Sequence, residues 1–429
     1  MKNSGIEWIG KIPEDWEISK TKYLTKLYTG NSIKDEEKDL YEDKADAIPY
    51  ISSKDINAIF STTNYENGMY VKHSDNSFVR APAGSTLMCI EGGSAGKKKT
   101  FLNQEVCFVN KLCCFSPIKI DNKFLFYCLN SPNYEEGFRF NISGMIGGVS
   151  VGKLNQFILP KPPKSTQQRI ASYLDKKCSK IEETIQNQQQ VIEKLKAYKQ
   201  SLITEAVTGK VKIENGKICG EYESYKDSGV EWLGKIPSGW EVGKFGRFAQ
   251  VKSNLVDPNL YLEYPQIAPD NIGKGSGKLI DWQTVKDSGV ISWNHLFFKG
   301  QIVYSKIRPT LNKLIIAPFD GLCSADMYPI ETNMYKQYFV YMMLSQYFVE
   351  QVGLITRDRV KMPKINQNEL SGILITVPTK DEQKSIAGYL DNKCTAIDTA
   401  IEQKQKLIEK LTEYKRSLIY ECVTGKKEI

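Results

Sequence analysis

Four clusters of cationic residues stand where chain-breaking residues predict loops. Gly96-Lys97-Lys98-Lys99 closes a glycine-rich run, and Arg139-Phe140-Asn141 precedes the Gly144 to Gly148 loop. Denser clusters follow in Lys306-Ile307-Arg308-Pro309-Thr310-Leu311-Asn312-Lys313 and in Arg357-Asp358-Arg359-Val360-Lys361-Met362-Pro363-Lys364. Arginine and lysine neutralise phosphates, while arginine on guanine and asparagine or glutamine on adenine read base edges. The candidate nucleic-acid contacts are therefore Ser52, Lys54, Lys97, Lys98, Lys99, Arg139, Asn141 and Lys153 in the first half of the chain. In the second half they are Asn271, Lys274, Tyr304, Lys306, Arg308, Asn312, Lys313, Arg357, Arg359, Lys361 and Lys364. One such cluster is as readily a solvated face, and Ser52 and Asn271 are as readily turn caps. Clusters at matching loop positions in both halves tip the balance toward binding.

Catalytic patterns are missing by comparison. Glu91-Gly92-Gly93-Ser94-Ala95-Gly96-Lys97-Lys98 lacks the first glycine and the final Ser/Thr of a phosphate-binding loop. The Pro-Pro pair at Pro162-Pro163 is flanked by lysines, unlike an adenine methyltransferase motif, and no nucleophile, base and acid trio stands out. With His73 and His295 as the two histidines and no C-x-x-C among ten cysteines, neither a zinc site nor a disulfide framework is indicated. The expectation is a chain that catalyses nothing itself and binds no metal or cofactor.

The elements that must position these loops are duplicated. From Tyr173 to Lys210, 22 of 38 residues recur without a gap from Tyr389 to Lys426, an offset of 216. Each copy carries apolar residues at steps of three and four, such as Leu174, Cys178, Ile181 and Ile185 against Leu390, Cys394, Ile397 and Ile401. A stripe of that period predicts a long helix needing a partner helix, here its own copy running antiparallel as a coiled coil. A second repeat opens each half: Trp8-Ile9-Gly10-Lys11-Ile12-Pro13 with Trp16 returns as Trp232-Leu233-Gly234-Lys235-Ile236-Pro237 with Trp240. The order is opener, body, helix, twice over.

The bodies share landmarks more than continuous sequence. Pro49-Tyr50-Ile51 matches Pro265-Gln266-Ile267 at the offset of 216, while Lys153-Leu154-Asn155-Gln156 matches Lys364-Ile365-Asn366-Gln367 at 211. Runs such as Val106 to Phe115, Gly300 to Lys306, Leu314 to Ala317 and Ile373 to Val377 read as strands, and Phe124 to Leu129 and Tyr338 to Val349 as helices packed on them. The fold class is α+β: two mixed, mostly β domains in pseudo-twofold arrangement, joined by two long antiparallel coiled-coil helices. The boundaries fall at 1–160 for the first domain, 161–210 for the first helix, 211–227 for a linker, 228–377 for the second domain and 378–429 for the second helix.

Length and composition fit this plan. A chain of 429 residues with 41% apolar and 25% charged residues is ordinary globular protein, and its net charge of +8 permits nucleic-acid binding without requiring it. No apolar run approaches a membrane span and no signal-peptide core opens the chain, so a cytoplasmic protein with no membrane partner is expected.

The duplicated order resembles the specificity subunit of Type I restriction-modification systems. The resemblance rests on the openers, on Gln167-Gln168-Arg169-Ile170-Ala171-Ser172-Tyr173-Leu174-Asp175 and its copy ending in Tyr389-Leu390-Asp391, and on Ser201-Leu202-Ile203-Thr204-Glu205-Ala206-Val207-Thr208-Gly209 with its copy. It spans essentially the whole chain. The resemblance implies two target recognition domains that each read one part of a bipartite, gapped site in double-stranded DNA. It further implies helices that act as a ruler and dock two modification subunits, which bring S-adenosylmethionine and methylate adenine. Two restriction subunits, using ATP and Mg, would complete the complex.

Overall fold

A computed structural model of the chain describes every residue except Glu7, Trp8, Gly144, Met145, Ile146 and Val360. The opener tryptophan Trp8 and the start of the Gly144 to Gly148 loop therefore lie outside the described residues. The chain forms two compact units, one of 1–189 with 405–429 and one of 190–404. Both long helices, Lys164–Val207 and Lys380–Val423, are divided between the units near their midpoints, so each unit owns one body and half of each helix.

In the first unit one sheet has the order Lys99–Phe101, Thr86–Cys89, Leu112–Pro117, Thr25–Thr29, all antiparallel. A second sheet runs Tyr70–Lys72, Ala47–Ile51, Val106–Phe108, Arg80–Ala81, and its central pair is parallel. The strand Thr86–Cys89 explains the layering, because alternate residues point to opposite faces. Leu87 and Cys89 join one apolar cluster with Val106 and Phe108, while Met88 joins another with Phe124, Leu125 and the long-helix residues Leu174 and Cys178. Both faces of that strand are buried, as its apolar composition requires.

The second unit repeats the topology. Leu314–Ile316, Ile302–Ser305, Met327–Thr332 and Ala249–Val251 form the first sheet in the same order. Gln283–Thr284, Pro265–Ile267, Gly321–Cys323 and Asn294–Phe297 form the other, again with a parallel central pair and with Leu255–Val256 added at an edge. Two expected elements divide. The run from Val106 to Phe115 is two strands broken at Asn110-Lys111, and the helix expected over Tyr338 to Val349 is two, Lys336–Leu344 and Gln346–Thr356, because the Ser345 hydroxyl caps the second at Phe348 N.

Within each unit the helix halves run antiparallel. In the first, Leu174 and Cys178 share a core with Leu418, Ile419 and Cys422, and Glu182 pairs with Lys415 at 2.6 Å. In the second, Leu202, Ile203 and Ala206 share a core with Ile386, Leu390 and Cys394, and Lys199 pairs with Asp398 at 2.8 Å. The offset of 216 carries Glu182 onto Asp398 and Lys199 onto Lys415, so the ion pair itself is duplicated.

Each helix ends on a glycine in the left-handed region, Gly209 at φ 72° and Gly425 at φ 70°. A Cβ on Gly425 would lie 2.4 Å from Pro13 Cδ, and one on Gly209 would lie 2.3 Å from Pro237 Cδ. Opener prolines thus seat against helix ends, which is why the two motifs recur together. The join forms the expected hairpin, Lys212–Glu214 with Lys217–Gly220, turned by Asn215 and Gly216 at positive φ. No helix among the described residues is long and apolar enough to cross a membrane.

Candidate nucleic-acid interface

Three loops of the second unit are fastened to one another. Ile307 bridges Lys364, Arg308 N donates to Pro363 O at 2.7 Å, and Gly275 N donates to Leu311 O at 3.1 Å. Arg308 at φ 41°, Asn312 at φ 47° and Met362 at φ 136° hold backbone conformations that cost a side-chain-bearing residue roughly 1 to 3 kcal/mol each. The surroundings enforce them: Arg308 and Asn312 flank the tight turn Pro309–Leu311, and the buried Asn312 amide donates to Met343 O at 2.8 Å. The exposed cations Lys274, Arg308, Arg357 and Lys361 ride on these loops, and among the described residues no side chain or carbonyl partners them. Lys306 is half-buried over the Tyr328 ring, and Lys364 pairs with Asp326 at 3.2 Å. Four unpaired cations on strained, mutually braced loops can hold a polyanion at fixed positions.

The first unit builds a counterpart with fewer charges. Glu91 and Ser143 both bridge Gly148, which fastens the glycine-rich run to the segment after Arg139. Lys97, Arg139 and Lys153 are exposed there. Lys153 reaches Asn141 O at 3.3 Å and Ser143 Oγ at 3.4 Å, drawing Asn141 into the group. Lys98 donates to Ser53 O at 2.6 Å, which brings the turn bearing the exposed Lys54 beside the glycine-rich run. The offset of 216 carries the bridge of Glu91 with Gly148 onto that of Ile307 with Lys364.

Several expected contacts are instead scaffold. Lys99 is 1% exposed and its ammonium donates to Leu129 O at 2.9 Å and Glu135 Oε1 at 2.8 Å. Burial pushes its pKa down against the pull of Glu135, and it faces no solvent. Tyr304 is fully buried with its ring against Phe348. Asn312 is buried as described, and Lys313 is spent on Pro269 O and Asp270. Arg359 is engaged by Glu369 and by Lys364 O. Ser52 shares a capping box with Asp55 at 2.7 Å, and Asn271 Oδ1 accepts from Ala268 N while its amide holds Asp281. The correspondence of Lys153 with Lys364 also fails. Ser150 caps the short helix Val151–Leu154 as Asn366 caps Gln367–Gly372, so the true offset is 216 and Lys364 corresponds to Gly148.

One residue that sequence reasoning passed over is Lys278. Its ammonium lies 2.8 Å from Asp398 Oδ2 and bolts the hairpin around Lys274 to the second long helix. Its partner is far along the chain, so no local signal marks it.

Two like domains with cationic loops, each built on halves of the same long helices, define a duplicated recognition protein. Residues 13–197 and 237–412 match the Type I restriction modification DNA specificity domain, and the chain belongs to that family. It is 27% identical over 426 residues to the EcoDI specificity subunit of Escherichia coli, covering 97% of this chain and 89% of that one. The MjaVIII specificity subunit of Methanocaldococcus jannaschii is 25% identical over 454 residues, covering 97% and 94%. A chain from a solved type I R-M system, described for its complex assembly and conformational transition, superposes with a TM-score of 0.67 at 11% identity, covering 97% of this chain and all of that one. That last likeness is one of fold.

Proposed function

We propose that this specificity subunit reads a bipartite, asymmetric site in double-stranded DNA, one part with each recognition domain. The observation that carries the reading is the repeated bridge. The same backbone contact, at the same offset, presents Lys97, Arg139 and Lys153 in one unit and Lys274, Arg308, Arg357 and Lys361 in the other. One fold with two different cationic surfaces is what two different half-sequences require. The long helices dock two modification subunits, which carry the S-adenosylmethionine chemistry on adenine, and two restriction subunits that use ATP and Mg. This chain holds no cofactor of its own and acts by placing its partners, in the cytoplasm, on chosen DNA. Adenine-methylation mapping of a host with and without the chain, its modification partner present in both, tests this. One gapped, asymmetric motif should lose methylation on removal; an unchanged methylome would refute the reading.

A further inference from the structure

The two long helices share buried residues because each builds the same kind of core, but they also share an exposed patch. At other exposed positions the copies differ: Lys176 stands against Asn392, Lys180 against Ala396, Glu183 against Thr399 and Ala197 against Glu413. One face keeps its residues. Lys194, Tyr198, Ser201 and Glu205, at steps of four, three and four, lie along a single stripe, and the offset of 216 returns them as Lys410, Tyr414, Ser417 and Glu421.

The geometry is repeated with the residues. Ser201 Oγ donates to Glu205 at 2.6 Å, and Ser417 Oγ donates to Glu421 at 3.0 Å. On the antiparallel helix half, Lys393 Nζ lies 5.9 Å from the Tyr389 ring centre, and Lys177 Nζ lies 5.8 Å from that of Tyr173. Burial first, then Tyr198, and after it Cys394 and Glu205, raise the Tyr389 phenol, which sets Tyr198 and Glu205 beside it in the second unit. In the first unit Tyr173 foremost, and then Tyr414, raise the Lys427 ammonium, so both tyrosines stand beside it.

The fold alone does not ask for this patch. Tyr198 and Tyr414 are 55% and 54% exposed, and among the described residues neither phenol is hydrogen-bonded. Tyrosine is also a poorer helix former than the alanine, lysine or glutamate found at exposed positions near it. Tyrosines ringed by polar groups are common anchors of protein interfaces, and the carboxylates of Glu205 and Glu421 disfavour a phosphate backbone. Two bodies that differ suit two DNA sequences; two patches that agree suit the same protein twice.

We infer that Tyr198, Ser201, Glu205, Tyr389 and Lys393 form a seat for the modification subunit, and that Tyr414, Ser417, Glu421, Tyr173 and Lys177 form a second, equivalent seat. The inference rests on the proposed function, under which two such subunits dock on the long helices, and it assigns the face and the residues that take them. Two residues beyond Tyr389 and Tyr173, Asp391 and Asp175 hold Tyr341 and Tyr127 of the recognition bodies. A subunit on either patch is thereby fixed relative to the body of that unit, as methylation of a base within the recognised site demands.

Stoichiometry tests this, because the seats can be disabled separately. The full-length chain is titrated with purified modification subunit and the complexes are weighed by native mass spectrometry, beside binding of the chain alone to DNA. Wild type should take up two copies. Tyr198→Ala should weaken one of the two at least about tenfold and spare the other, Tyr414→Ala should do likewise, and the double variant should weaken both. Both tyrosines are exposed, so melting temperature and DNA affinity should stay at wild-type values. Glu183→Ala, at an exposed position where the copies differ, should leave both seats intact. A double variant that binds two modification subunits as tightly as wild type overturns the inference and leaves the proposed function standing, and an equal loss from Glu183→Ala does the same. A wild-type chain that takes up no modification subunit overturns both.

Discussion

The Tyr127 hydroxyl donates to Asp175 at 2.6 Å, and the second unit makes the same tie from Tyr341 to Asp391 at 2.7 Å. Each joins the helix under a sheet of its unit to the Tyr-Leu-Asp motif of a long helix, so one of the motifs repeated without change is a fastening point. Burial first, and then the neighbouring carboxylate, raise both phenols far above the ordinary tyrosine range, which keeps them protonated donors at any physiological pH.

Removing that hydroxyl tests the fastening. Tyr127→Phe should destabilise the chain by about 1 to 3 kcal/mol, the usual worth of a hydrogen bond to a charged group, and Tyr341→Phe should do the same. Chemical denaturation of each variant reads this directly, and an unchanged midpoint would reduce the tie to a coincidence of packing.

The run of three lysines separates structure from binding. Lys99→Ala removes a buried ammonium with its aliphatic stem and leaves the partly exposed Glu135 to Arg416, which should cost roughly 1 to 3 kcal/mol of stability. Lys97→Ala should leave stability within about 0.5 kcal/mol and reduce the salt slope of DNA binding by about one. Paired melting and salt titrations on the two variants distinguish the roles.

Asp398 links stability to pH. Burial alone would raise its carboxyl, but Lys199 and Lys278 outweigh that and hold it below 3.8. The unfolded chain therefore takes up the proton first. The stabilisation is complete above the unfolded aspartate range and is lost as pH falls through the folded value. Asp398→Asn should cost about 1 kcal/mol at pH near 7, after solvent screening, and the difference from wild type should shrink in strong acid. Urea melts at both pH values check the sign.

The architecture was legible because its signals are local or repeated. The apolar stripe from Leu174 to Ile185, the glycines at 209 and 425 and the paired openers announce helices, ends and duplication in the sequence itself. The site was only partly legible. A lysine-rich run does not say which lysine points inward: Leu129 O and Glu135 take Lys99 into the interior at the start of its strand, while Lys97, two residues earlier, lies in the exposed turn. Arg359 and Arg357 look alike in sequence, yet Glu369 claims one of them. Lys278 is invisible without Asp398. The false match at an offset of 211 arose because four similar residues outweigh register until the helix caps at Ser150 and Asn366 are seen.

The most direct test of base reading is Arg308→Ala. It is the exposed arginine whose backbone is held left-handed and fastened to Pro363, so its side chain leaves the loop from a fixed point. Methylation of a library randomised in both half-sites, by the complex carrying Arg308→Ala, should relax preference within one half-site and leave the other intact. The discriminating cost should be about 1 to 3 kcal/mol. An equal loss across all sequences would contradict the account and make Arg308 a phosphate contact.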